Sequence, residues 1–149
     1  MSTVSSPALP LIQVENLNFS LSSLSGKVDI LKNINFQVDE HETIAIVGAS
    51  GSGKTSLLML LAGLERPTQG LIHIHQHDLS LLDEDGLAIF RRDHIGIVFQ
   101  NFHLVSTMTA LENVALPLEL AINNDGSQNK FDMAKVILER IGLGHRLHH

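Results

Sequence analysis

The chain contains no cysteine, tryptophan or tyrosine, and six phenylalanines bring its aromatic fraction to only 4%. Without cysteine there can be neither a disulfide framework nor a thiolate metal site, which indicates a cytosolic compartment. Its apolar runs are short, because even Leu57–Ala62 falls far short of the roughly 20 residues that span a bilayer. Met1–Pro10 has neither a basic cluster nor an apolar core, so we do not expect a secretory signal there.

Basic residues are also scarce. Ten lysines and arginines stand against sixteen acidic residues, and the net charge is -6 at pH 7. A nucleic-acid-binding surface normally has the opposite sign, so we expect no nucleic-acid partner. A length of 149 residues suits one domain with its own core. The composition predicts a flexible N-terminus over residues 1–10, followed by that domain over residues 11–149.

The spacing of apolar residues predicts an α/β fold with an antiparallel portion. We expect strands at 11–19, 33–38, 43–47, 71–75 and 95–99, and of these 43–47 and 95–99 should be buried on both faces. We expect helices from Lys54, over 83–92, from the capping box Thr109–Glu112, and from Phe131 to Gly142. Polar stretches at 20–26 and 123–130 are predicted to be a turn and a connector. Ile46 and Leu58 should be buried.

A glycine-rich segment, Gly48-Ala-Ser-Gly-Ser-Gly-Lys54-Thr55, fits the phosphate-loop pattern G-x-x-x-x-G-K-[ST]. Glycines let the backbone approach phosphate oxygens and point successive N–H groups into one concavity. The helix that follows adds its positive end, while Lys54 supplies a full charge and Thr55 a hydroxyl ligand for magnesium. The residues predicted to bind nucleotide are Gly48, Ala49, Ser50, Gly51, Ser52, Gly53, Lys54, Thr55 and Ser56.

A second block decides between the classes of phosphate-loop protein. The run from Leu82 through Arg91-Arg92-Asp-His-Ile-Gly-Ile-Val-Phe-Gln100 to Pro117 resembles ATP-binding subunits of ABC transporters. It is similar in particular to the subgroup that serves lipoprotein release and macrolide export. The resemblance extends from about residue 11 to residue 147. It implies a P-loop ATPase core with a mixed sheet, and ATP with Mg²⁺ as cofactors.

The resemblance also implies roles for individual residues. Gln100 matches the catalytic glutamine that contacts the attacking water, senses the γ-phosphate and joins Thr55 as a magnesium ligand. Phe102, Leu104 and Met108 would line a groove for the membrane subunit, or would be ordinary core. The implied partners are a transmembrane permease subunit and a second ATP-binding subunit. The implied location is the cytoplasmic face of the inner membrane.

The chain departs from the family pattern in two places. Leu21 stands where the family stacks an aromatic residue under adenine, in the loop after the first strand, which leaves ATP-over-GTP preference open. The family's Ser-Gly-Gly-Gln signature, its strand ending in Asp-Glu and its switch histidine should follow Gly142, and the 149 residues contain none of them. We therefore expect an incomplete helical subdomain, and no useful ATP hydrolysis by the isolated chain.

Several alternative interpretations stay open. The chain could be a non-catalytic nucleotide-binding fragment or regulatory subunit, or a small P-loop kinase, which would need an arginine-bearing lid. Asp83-Glu84 imitates the acidic strand end but precedes Gln100, so Asp83 fits better as a helix N-cap. Histidines on one strand face, or near the end of the sequence, could meet a metal, although exposed positions are the simpler explanation. These histidines are His73, His75, His77, His145, His148 and His149.

Overall fold

A computed structural model of the chain describes residues 9–23, 26–120 and 129–149. The chain divides into two compact units, the first ending at Ile97 and the second beginning at Val98. The predictions for the N-terminus up to residue 8, and for most of the connector at 123–130, lie outside the described residues.

The first unit is a sheet with two helices. Its elements are β1 (Ile12–Ser23), β2 (Gly26–Val38), α1 (Lys54–Leu61), β3 (Gln69–Ile74), β4 (His77–Asp78), a 3₁₀ turn (Leu79–Leu81) and α2 (Glu84–His94). The sheet order is β2-β1-β3-β4, and every neighbouring pair is antiparallel. The predicted antiparallel portion is therefore confirmed. The strands are longer than predicted, since residues 20–23 belong to β1 rather than to a turn.

One apolar face of the sheet forms the core together with α1 and α2. Leu17 and Leu60 are completely buried, because α1 presents Leu57, Leu60 and Leu61 to the sheet at helical spacing. Burying a leucine of this kind stabilises the fold by about 1.5–3 kcal/mol. The cluster comprises Val14, Leu17, Phe19, Leu31, Leu57, Leu60, Leu61, Ile72, Ile74, Leu79, Leu87 and Phe90.

The second unit is helical. It contains α3 (Ala110–Leu120), α4 (Lys130–Arg140) and a 3₁₀ turn (Gly144–Arg146). The predicted capping box is present, because the Thr109 hydroxyl accepts from the Glu112 amide at 3.2 Å and the Glu112 carboxylate accepts from the Thr109 amide at 2.7 Å. The Thr109 amide and hydroxyl both donate to the Glu112 carboxylate, and these two bonds lower the pKa of Glu112. As predicted, α4 ends before Gly142. This glycine has a φ of 80°.

Two predicted strands are not formed. Residues 43–47 and 95–99 have no strand partner among the described residues, and their side chains are not enclosed on both faces. Val47 is 87% exposed and Val98 is 100% exposed, while Ile46 and Ile95 are half-buried against the core. An apolar run forms a buried strand only where neighbouring strands hydrogen-bond to its backbone N–H and C=O groups. The pattern of apolar residues within the run does not show whether such neighbours are present. The described sheet is thus the antiparallel portion of the expected mixed sheet.

The expectation that Leu58 is buried is wrong, since its side chain is 55% exposed. Successive residues of a helix are rotated by about 100°, so the stripe formed by Leu57, Leu60 and Leu61 turns Leu58 away from the sheet. Ile46 is partly buried and packs against the core. The sequence pattern identified the helix correctly, but it did not distinguish which of four leucines faces outward.

Leu60→Ala should lower the free energy of unfolding by about 2–5 kcal/mol, because it opens a cavity in the fully buried centre of the core. Leu58→Ala is the matched control on the same helix, and it should change stability by less than about 0.5 kcal/mol. Urea unfolding followed by circular dichroism measures both. Equal losses in the two variants would mean that α1 is not oriented as described.

Candidate functional site

The glycine-rich segment forms the connection that leads into α1. Gly51 and Gly53 take φ values of 78° and 89°, in the left-handed region that other residues adopt only with strain. Gly53 is the N-cap of α1, and Lys54 and Thr55 are the first two residues of the helix. The predicted loop and the predicted start of the helix are therefore where the sequence placed them.

Gly53 also lies directly against the sheet. A Cβ atom added at this position would be 2.9 Å from Leu31 Cδ2, 3.0 Å from Ile30 Cγ2 and 3.3 Å from the Ile30 carbonyl oxygen. In the ladder Leu31 faces Phe19 while Asp29 faces Ser20, so Ile30 is an extra residue at a register shift. The bulge lets two consecutive side chains of β2 reach the end of the loop. Sequence analysis missed both residues.

The start of α1 has no side-chain cap. The other three α-helices of the described residues are capped, by Asp83 on α2, Thr109 on α3 and Asn129 on α4. The first N–H groups of a helix have no partner within it, and together they carry about half a positive charge. The N–H groups at the start of α1 can therefore donate to an anion that the loop encloses.

Lys54 folds back over the loop. Its ammonium donates to the carbonyl oxygens of Gly48 at 2.9 Å and Ala49 at 2.7 Å, and the Ser52 hydroxyl lies 3.5 Å away. Within the described chain it forms no ion pair with an acidic side chain, in contrast to Lys32, Lys130 and Lys135. Its charge is thus held at the loop without being neutralised, which is the arrangement that attracts phosphate oxygens.

Oxygen ligands suited to magnesium are present at the two predicted positions. Thr55 carries an exposed hydroxyl on the first turn of α1, and Gln100 carries an exposed carboxamide in the second unit. No group of three or more histidine, aspartate or glutamate side chains in residues 9–23, 26–120 and 129–149 could hold a metal ion. A magnesium ion bound by Thr55 would need phosphate oxygens and waters among its other ligands, as Mg²⁺ commonly has.

The acidic pair after the 3₁₀ turn has structural contacts. The Asp83 carboxylate accepts from the Gly86 amide at 2.8 Å, which confirms the predicted N-cap. Glu84 pairs with Arg66 at 3.1 Å. The Asp83 carboxylate thus caps α2, and the Glu84 carboxylate is engaged in an ion pair.

The histidines of the β3–β4 hairpin do not share one strand face, so that expectation is wrong. His75 takes φ 48° in the turn, and His77 belongs to β4. The ring centroids of His75 and His77 lie 5.5 and 5.2 Å from that of His94, and His73 approaches Asp78 at 3.8 Å. The turn backbone redirects side chains that a continuous strand would have aligned.

The two adjacent arginines are held by local bonds. Arg91 donates to the Gly63 carbonyl at 2.7 Å. Arg92 pairs with Asp93 at 2.7 Å, and this contact raises the pKa of Arg92 and lowers that of Asp93. Neither extends from a lid of the kind that a small kinase uses.

The segment after Gln100 is open to solvent. Phe102 is 90% exposed, Leu104 is 68% exposed and Met108 is 37% exposed. Phe102 and Leu104 are therefore not ordinary core residues, which was one of the two interpretations of these side chains. Leu21 lies within β1 opposite Val28, rather than in a loop after the strand.

A glycine-rich loop that packs on a sheet, leads into an uncapped helix and holds a lysine over its own carbonyls defines a phosphate-loop nucleotide-binding protein. The sequence profile of the ABC transporter family matches residues 31–149. The chain belongs to this family, as an ATP-binding domain.

Individual relatives agree with this assignment. The chain is 43% identical over 139 residues to the lipoprotein-releasing system ATP-binding protein LolD of Geobacter metallireducens. It is 42% identical over 139 residues to an uncharacterized ABC transporter ATP-binding protein of Methanocaldococcus jannaschii. Both alignments cover 93% of this chain and 61% of the relative. The macrolide export ATP-binding/permease protein MacB of a Shewanella strain is 39% identical over 139 residues, which cover 93% of this chain and 21% of that protein.

A solved structure shares the fold. It is a dimeric ATP-binding cassette in a post-hydrolysis state bound to ADP and Pi, with a TM-score of 0.83 and 34% identity. The similarity covers 93% of this chain and 60% of that one. The predicted α/β P-loop fold class is confirmed by this likeness. Among the helices that the structure describes, none is long and apolar enough to cross a membrane.

Gly53→Ala should weaken nucleotide binding by about tenfold or more, because a left-handed backbone and a Cβ contact of 2.9 Å together cost on the order of 1–3 kcal/mol. Gly96→Ala is the control, since an added Cβ there meets nothing within 4 Å and no left-handed φ is required. Calorimetric titration with ATP and magnesium measures both variants. Unchanged affinity in Gly53→Ala would contradict the described packing of the loop on β2.

Proposed function

We propose that this chain is the nucleotide-binding part of an ABC transporter ATP-binding subunit, and that it binds ATP with Mg²⁺ on residues 48–56. One arrangement carries the proposal. The Lys54 ammonium is held over a loop in which Gly51 and Gly53 have left-handed backbones. This loop leads into α1, the one α-helix of the described residues whose start lacks a side-chain cap. The family assignment narrows the nucleotide to ATP.

Each part of the loop has a task in binding. Backbone N–H groups at the start of α1 donate to phosphate oxygens, and the Lys54 ammonium exchanges its carbonyl partners for the β- and γ-phosphates. The Thr55 hydroxyl would be a protein ligand for magnesium, which neutralises charge on the phosphates when bound, and the family resemblance implies a magnesium contact for Gln100. Gln100 also orients water toward the γ-phosphate, a role taken from the family resemblance.

The subunit would couple ATP binding and hydrolysis to export or lipoprotein release. Relatives named for lipoprotein release and macrolide export support this class of transport, and a dimeric cassette supports pairing with a second ATP-binding subunit. The exposed side chains of Phe102 and Leu104 provide an apolar contact for a transmembrane permease subunit. The site of action would be the cytoplasmic face of the inner membrane. The alternative is a nucleotide-binding regulatory role without catalysis.

Lys54→Ala should weaken ATP binding by roughly ten- to hundredfold, because a charge-assisted contact worth about 1.5–3 kcal/mol is lost. Lys135→Ala is the control, since Lys135 pairs with Glu139 on the surface of α4. Calorimetric titration of both variants with ATP, with and without magnesium, makes the comparison. The same affinity in parent and Lys54→Ala would mean that the loop is not the phosphate site.

The purified 149-residue chain should release phosphate from ATP no faster than its Lys54→Ala variant. Gln100 can orient water but cannot accept its proton, and general-base help alone contributes roughly 10²–10⁴-fold. Asp83 and Glu84 are engaged at α2 and with Arg66. A coupled-enzyme phosphate assay tests this expectation. Turnover that depends on Lys54 and approaches about one per second would overturn it and would favour autonomous catalysis.

A further inference from the structure

The ladder between β1 and β2 contains a bulge on β1. Val14 lies opposite Phe36, and Leu17 lies opposite Ile34. Two residues of β1 therefore stand against one residue of β2, which is the pattern of a β-bulge. Asn16 belongs to this stretch and has a φ of 48°, in the left-handed region. This bulge moves the register of the ladder by one residue.

A second bulge, on β2, reverses that displacement. The next pair along the ladder is Phe19 and Leu31. Since the previous pair is Leu17 and Ile34, one residue of β1 here stands against two residues of β2. Asn33 is one of these two and has a φ of 47°, a backbone that asparagine adopts more readily than most residues. The second bulge thus brings Leu31 back to the position opposite Phe19.

Four asparagines connect the two bulges, Asn16 and Asn18 on β1 and Asn33 and Asn35 on β2, and we call them the asparagine clamp. The backbone N–H of Asn16 donates to Asn35 Oδ1 at 2.8 Å, and that of Asn33 donates to Asn18 Oδ1 at 3.0 Å. Each carboxamide also donates along its own strand, Asn18 to the Asn16 carbonyl at 2.7 Å and Asn35 to the Asn33 carbonyl at 3.0 Å. A bulge interrupts the ladder at its extra residue, and these side chains supply the missing partners.

The third strand holds the first bulge from its other side. A Cβ atom added at Gly70 of β3 would be 2.6 Å from the Glu15 carbonyl oxygen and would also meet the carbonyl of Asn16. The backbones of β3 and of the bulge are therefore in direct contact, and the bulge cannot move toward β3.

The register after the second bulge decides which side chains of β2 meet the phosphate loop. Leu31 Cδ2 and Ile30 Cγ2 are 2.9 and 3.0 Å from the position of a Cβ atom added at Gly53. If the bulge at Asn33 were lost, Lys32 would take the ladder position of Leu31. A shift of one residue sends each side chain to the opposite face of the sheet, so the buried Leu31 side chain would leave its contact with Gly53.

We infer that Asn18 and Asn33 are positioning residues for the phosphate loop. Neither belongs to the loop, and both act through β2, by keeping Leu31 in place against Gly53. Gly53 is the N-cap of α1, so this contact also fixes where Lys54 and the first N–H groups of the helix lie. The inference rests on the proposed function, because its readout is nucleotide affinity.

Asn33→Val should weaken binding of ATP with magnesium by about tenfold or more, because a β-branched residue opposes the left-handed backbone and favours the regular register. Asn33→Gly is the matched variant, since it removes the same side chain but takes a φ of 47° without strain. We expect its affinity to stay within about threefold of the parent. Asn18→Leu removes the acceptor of the Asn33 N–H and should weaken binding by about threefold to tenfold, and it decides the question if Asn33→Val does not fold.

Leu87→Ala controls for a general loss of stability. Leu87 is 2% exposed on α2 and lies 3.3 Å from a Cβ atom added at Gly63, which follows the end of α1 away from the loop. The substitution should lower the thermal unfolding midpoint, because it opens a cavity, yet leave ATP affinity within about twofold of the parent. Calorimetric titration measures all variants at a temperature where circular dichroism shows each of them folded.

The outcomes separate the inference from the proposed function. Weaker ATP binding in Asn33→Val or Asn18→Leu, with affinity near that of the parent in Asn33→Gly and Leu87→Ala, supports the inference. Parental affinity in the folded Asn33→Val and Asn18→Leu variants overturns it, and so does an equal loss in Asn33→Gly or Leu87→Ala. In each of these cases the proposed function stands if ATP binding by the parent is lost in Lys54→Ala. If ATP binding does not depend on Lys54, the proposed function fails and the inference fails with it.

Discussion

The contact between Gly53 and β2 is the constraint on which the functional site depends. Any side chain at Gly53 would meet Leu31 and Ile30, so the end of the loop is fixed against the sheet at a point where only glycine fits. Since Gly53 is also the N-cap of α1, the same contact sets where the helix begins. The helix in turn places Lys54 over the loop carbonyls and buries Leu60 in the core. Core packing and the proposed phosphate binding therefore both depend on this close contact.

The start of α1 lacks a side-chain N-cap, a stabilising interaction that the other α-helices of the described chain have. An N-cap side chain contributes about 1 kcal/mol, and α2, α3 and α4 all have one. At α1 a glycine takes that position, which leaves the helix amides to donate to a ligand. The lost cap and the left-handed backbone of the loop are costs that the bound phosphates can offset.

Several side chains that carry chemistry in other proteins have structural contacts here. Asp83 caps α2, Arg91 bonds to Gly63, and Arg92 pairs with Asp93. The histidines of the hairpin contact His94 or Asp78 rather than converging on a metal position. Each of these contacts weakens a competing interpretation of the chain, and together they leave the glycine-rich loop as the best-supported site of the first unit.

The sequence by itself determined the loop, its lysine and hydroxyl, the helix that follows and the capping box at Thr109, because these are local features whose residue types and spacing dictate the backbone. It also carried the family resemblance, through motifs that are contiguous in the chain. Tertiary structure alone decided that Leu58 faces solvent, that residues 43–47 and 95–99 have no strand partners in the described chain, and that a bulge at Ile30 touches Gly53. Side-chain burial and strand register depend on which distant segments become neighbours in the fold, and the local spacing of apolar residues does not specify those neighbours.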